Sequence, residues 1–163
     1  MNLTDELKNE FVRRVFDESY PRVIKCLDLL NEKEIWIKPN KNTNSVGNLV
    51  LHLIGNAHQW IVSGLGKKPD IRIRQQEFIP NQKFTGKELK QKLSLLKTQI
   101  IPIVENLNKG NLKKTYNIQV FKEKGSQVII HVIEHFSYHT GQIALLTKLI
   151  ADKDLNFYTE TLD

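Results

Sequence analysis

The segment HVIEHFSYHTGQI, residues 131–143, carries three of the chain's five histidines, His131, His135 and His139, at intervals of four. On a helix that interval stacks side chains on one face with Cβ atoms about 5–6 Å apart, so two imidazoles can reach a single cation. At about 100° per residue, His135 and His139 share an arc with Val128, Val132, Ile143, Leu146 and Ile150, and His131 falls on its edge near Gln142. One histidine in an apolar stripe is ordinarily a hydrogen-bonded core residue. Two on one face must both be desolvated and both need partners for their ring nitrogens. A single divalent ion bound by neutral imidazoles meets that need.

The same stretch admits a competing motif, because HVIEH at 131–135 has the H-x-x-E-H form of inverted zinc proteases, with His131 and His135 as ligands and Glu134 as base. That arrangement wants a downstream carboxylate in a larger scaffold, and here only a short tail with Glu160 follows. Outside that motif, Glu134 points about 100° away from His135, which leaves it as an acid or base behind the ligands or as a surface carboxylate.

A helix cannot wrap around an ion, so a third ligand has to come from another element. The remaining histidines are His52 and His58. His52 shares a helical face with Ser45, Asn48, Asn56, Gln59 and Ser63, whereas His58 lies on the other side near Ile54 and Leu65. A solvated face normally carries Lys and Glu; amides and hydroxyls without charge indicate a polar cavity or a subunit interface. A lined cavity is where a ligand would hang, which favours His52. The whole of Ser45–Leu65 lacks charge and has about the length of a membrane span, but its Asn, Gln and His side chains would go unsatisfied in hydrocarbon.

The elements that position these residues read as four amphipathic helices. Thr4 is placed to cap the first, which runs to about Leu30 with Pro21 kinking or restarting it. The second spans Ser45–Leu65 and stops at Gly64 or Gly66. Thr85 to Glu88 has the capping-box form and opens a third, with Leu89, Leu93, Leu96 and Ile100 recurring helically and Pro102 expected to bend it. The last runs from Gln127 to about Ile150. Between them, Trp36 and Ile37 are expected to pack back on the body, DIRIR at 70–74 alternates like a short strand, and LKKTYNIQVFKEKGS suggests a brief extended pair. The expected fold is an all-α four-helix bundle in one domain, 1–163. Its long connections, before the second helix and between the second and third, have room for crossovers.

With 163 residues, 40% hydrophobic and 26% charged, the chain has globular composition and length enough to bury a core. Net charge is +6, but the basic residues are scattered and form no stripe interleaved with stacking aromatics, which argues against a specific nucleic-acid partner. Arg72 and Arg74 in the long loop could contact an acidic substrate or simply solvate the loop. The one cysteine, Cys26, sits among apolar residues as a structural thiol. The polar start MNLTDELKNE resembles no signal peptide, so a cytoplasmic, membrane-free protein is expected.

SVGNLVLHLIGNAHQWI at 45–61 and HVIEHFSYHTGQIALLTKLI at 131–150, with EIWIKPN and PDIRIRQQEF, resemble the DinB-like (YfiT-like) superfamily over nearly the whole chain. The resemblance implies a four-helix bundle with a divalent metal, Zn or Ni, held by three histidines that match His52, His135 and His139, with His131 a neighbour of the ligands. It also implies a small-molecule substrate, a hydrolase or an S-transferase using a low-molecular-weight thiol, and a homodimer. A non-catalytic metal-stabilised interaction module is the alternative.

Overall fold

The computed structural model of the chain describes residues 2–79 and 84–158. Four helical rods form the bundle. The first joins α1 (Leu3–Val12), a π-helical stretch Arg13–Ser19 and α2 (Tyr20–Leu29). Pro21 stands at the start of α2, where a missing N–H costs least, and the wider winding ahead of it is the expected restart. Asn2, not Thr4, caps this rod: its side chain accepts from the Asp5 N–H at 3.1 Å.

The second rod joins α3 (Val46–Ala57) to a π-helical stretch His58–Leu65 and ends at Gly66. The third is α4 (Gly86–Glu105), capped by Thr85 and Glu88 in a reciprocal box and running through Pro102. A short α5 (Lys109–Lys113) and the antiparallel hairpin β1 (Thr115–Ile118) and β2 (Phe121–Lys124) lead into the fourth rod, α6 (Gly125–Ala151). The extended pair is thus present, preceded by a helical turn that the sequence did not announce.

The first and second rods each pack on both α4 and α6, which places them at opposite corners. The connection before α3 therefore crosses the bundle diagonally, and so does the excursion through α5 and the hairpin. The connection between the second and third rods joins neighbours and is free to fold back on α3. Its DIRIR segment is not a strand; the chain passes irregularly to a 3₁₀ turn at Arg74–Phe78. Its alternation has no sheet to face.

Leu89, Leu93, Leu96 and Ile100 of α4 meet Val128, Ile129, Val132, Phe136 and Ile143 of α6 and Leu49, Val50 and Leu53 of α3 in one buried cluster. Trp36 packs against it and donates its indole N–H to the Phe84 carbonyl at 3.0 Å. Its buried neighbour is Ile35, whereas Ile37 is exposed because the chain turns extended there. Among the described residues no helix is long and apolar enough to cross a membrane.

Candidate metal centre

Ser45 starts the second rod with a closed capping box: its Oγ accepts from the Asn48 N–H at 3.1 Å, and Asn48 Oδ1 accepts from the Ser45 N–H at 3.3 Å. The other half of the same amide is a tether. Asn48 Nδ2 donates to the carbonyl of Glu77 at 2.8 Å and fixes that part of the connection after the second rod against α3. The loop therefore covers most of the uncharged stripe, while His52 and Asn56 also line a cavity. Gln59 accepts from Arg72 Nη1 at 2.8 Å and donates to Asp70 at 2.7 Å, and Ser63 donates to the Pro69 carbonyl at 3.1 Å, so the loop meets Asn48, His52, Gln59 and Ser63 of the stripe.

Within this cover lies a buried ion pair. Arg72 donates through Nε to Glu77 Oε1 at 2.6 Å and through Nη2 to Oε2 at 2.9 Å, with side chains 5% and 9% exposed. Burial alone would raise the Glu77 carboxyl, but hydrogen bonds from Arg72 and His52 outweigh it and hold Glu77 below the usual carboxylate range. The carboxylate is thus ionised and can only accept. At 2.8 Å from its Oε2, His52 Nδ1 donates its N–H to the carboxylate, which turns His52 Nε2 inward toward α6. Arg72 was expected to meet a substrate or solvent; its guanidinium is instead spent on Glu77 and Gln59.

Opposite His52 stand two histidines of α6. The His52 ring lies 4.9 Å from both the His135 and His139 rings, and those two are 4.5 Å apart. One ring nitrogen of each residue falls within 4.8 Å of the others. The Nε2 atoms of His52 and His135 are 3.1 Å apart. His139 Nδ1 lies 2.7 Å from Gln142 Oε1, an acceptor, so its proton is committed outward as well. Burial, reinforced by the neighbouring imidazoles, pushes His135 down to about 3; burial likewise lowers His139 despite the Gln142 hydrogen bond. The donor set is three imidazoles, two of them with an outward ring nitrogen tied to an acceptor. This is the preparation a divalent cation requires, so the residues fit such an ion.

The other candidates fall outside this trio. His131 stacks on Trp60 at 3.8 Å between ring centroids and contacts Asn56 Nδ2 at 3.4 Å. The H-x-x-E-H arrangement is not assembled: His135 turns to His52 and His139, Glu134 is exposed, and Glu160 lies outside the described residues. His58 lines a separate cleft between α3 and α4 and is lowered by burial. Arg74 is exposed, its guanidinium over the Phe78 ring. Cys26 is buried, its thiol pushed up by that burial.

Sequence reasoning missed Glu77, Gln142 as a tether, and Trp60. The available signal was the stripe itself: buried amides and an imidazole on α3 require partners, and the 66–85 connection is rich in charge. The buried line of α6 runs through Val132, Phe136, Thr140 and Thr147, a little to one side of the expected arc, and leaves His135 and His139 on its flank, with His135 lining a cavity of about 330 Å³.

Three solved structures share this fold. A DinB-like protein from Bacillus cereus ATCC 10987 has 16% identity and a TM-score of 0.66 over 85% of this chain and 89% of its own. A DinB-like protein from Bacillus subtilis has 15% identity and a TM-score of 0.66, covering 91% of this chain and 94% of its own. A conserved protein from Enterococcus faecalis has 15% identity and a TM-score of 0.70, covering 94% and 99%. The chain thus has the fold of DinB-like proteins. No curated protein matches it significantly. The family described as "Protein of unknown function (DUF1572)" matches residues 7–160, and the chain belongs to that family.

Proposed function

We propose that the protein is a divalent-metal-dependent enzyme in which His52, His135 and His139 hold one ion, Zn or Ni, and that it acts as a hydrolase or as a transferase of a low-molecular-weight thiol. The observation that carries this reading is the convergence of three ring nitrogens within 4.8 Å, with the outward protons of His52 and His139 bound to Glu77 and Gln142. An ion held by three neutral imidazoles supplies a Lewis-acid centre that makes water or a thiol nucleophilic near neutral pH. Glu77 orients His52 and strengthens it as a donor, Arg72 keeps that carboxylate ionised, and Gln142 orients His139.

The cavity beside His52 and His135 supports an enzyme over a sealed structural site, since a small-molecule substrate needs a path to the trio. The homodimer implied by the DinB-like resemblance belongs to the same reading; the exposed Tyr138, Leu145 and Leu149 of α6 offer apolar surface for it. Purified protein loaded with Zn or Ni, screened against esters, amides and thiol–electrophile pairs, tests the activity. Turnover that chelation removes and metal restores, and that His135→Ala lacks, is the expected result. No turnover with any class, together with unfolding on chelation, leaves the metal-stabilised module.

A further inference from the structure

The cavity next to the histidines presents two opposite charges that the fold does not use. Arg74 lines the cavity from the 3₁₀ turn, its guanidinium 5.2 Å from the centroid of Phe78, whose own ring packs 5.1 Å from His52. No carboxylate pairs with it among the described residues. Glu123 lines the same cavity from β2, where it pairs across from Tyr116, half-buried and with no cation paired to it among the described residues. The third charged lining group, Arg72, is neutralised by Glu77 and contributes no free charge.

The same lining includes a stacked aromatic wall. Trp60 stacks on His131 with 26° between planes, and Phe121 lies 5.9 Å from Trp60. Asn56 lines the same space, 6% exposed, and its Oδ1 has no hydrogen-bond partner among the described residues. Gln119 adds an amide at the rim from a backbone position with φ of 54°, in a two-residue hairpin loop where glycine is the ordinary choice.

A ligand with a single charge would leave the other group facing it unpaired and partly desolvated, which works against binding. We propose that this cavity binds a small zwitterion of amino-acid or dipeptide size, with its carboxylate at Arg74, its ammonium at Glu123 and its body against Trp60 and His131. The inference deepens the proposed function by naming the substrate class and rests on it for the molecule's role. The binding itself does not need the ion, so the two can fail separately.

The test uses the full chain freed of metal with a chelator and follows the Trp60 resonances by NMR. The probes are L-alanyl-L-alanine, its N-acetyl form, which lacks the ammonium, and its amide, which lacks the carboxylate. Each charged hydrogen bond lost should weaken binding roughly 10- to 100-fold, so both capped forms bind correspondingly worse than the free dipeptide. Arg74→Gln should erase the preference over the amide and Glu123→Gln the preference over the N-acetyl form, each without disturbing the other. Equal binding of all three probes, unchanged preferences in the variants, or no perturbation of Trp60 by any probe would overturn the assignment. Loss of metal binding with dipeptide binding intact would count against the metal reading alone.

Discussion

His52 is useful only because its Nδ1 proton has somewhere to go. Glu77 takes it at 2.8 Å, and Arg72 keeps Glu77 ionised to do so. Glu77→Gln is expected to lower metal affinity about 10- to 100-fold, the usual cost of losing a partner behind a ligating histidine. It also strands a guanidinium whose side chain is 5% exposed, at a cost of about 3–5 kcal/mol. Competition with a chromogenic chelator and urea unfolding read the two effects separately. Acid acts through the same residues. Burial beside its fellow imidazoles holds His135 at about 3, below its ordinary 6.5, so the unfolded chain binds a proton that the folded chain refuses. The resulting stability is fully present above about pH 6.5 and declines as pH falls from there toward about 3. The urea midpoint of metal-free protein should drop steadily between pH 7 and pH 4.5. A flat midpoint would mean His135 is solvated.

The loop after the second rod reaches back to it through side-chain hydrogen bonds and through one close approach to the α3 backbone. A Cβ added at Gly55 on α3 would sit 2.1 Å from Glu77 Oε1 and 3.0 Å from Arg72 Nε, so this glycine leaves room for the ion pair to lie on the helix. Gly55→Ala should therefore reproduce the metal-affinity loss of Glu77→Gln although no polar group is removed. Gly141 on α6 is the control, since a Cβ there meets nothing within 4 Å. In that exposed helix interior, Gly141→Ala should stabilise the protein by about 0.5–1 kcal/mol and leave metal binding alone. Chelator competition and thermal unfolding of the two variants give the comparison. If both behave alike, that loop does not press on α3 as described.

Across the molecule, what was legible in the sequence is what depends on periodicity. The four rods, the Thr85 box and the pairing of His135 with His139 all follow from 3.6-residue repeats, and the charge-free stripe singled out His52 over His58. What was not legible depends on long-range closure. DIRIR alternates as a strand would, yet it is held by Gln59 and Gly55, neither of which its own sequence reveals. Glu77 lies 25 residues from His52 and had no pattern to mark it. Hydrogen-bond demand on the stripe was the only clue. The most direct measurement of the central claim is metal stoichiometry after loading with Zn or Ni and desalting, in wild type and in four alanine variants. Three imidazoles on one ion predict about one ion per chain in wild type and in His58→Ala, and loss of retained ion in His52→Ala, His135→Ala and His139→Ala, with all variants still helical by circular dichroism. Full retention in any of those three, or equal loss in His58→Ala, would contradict it.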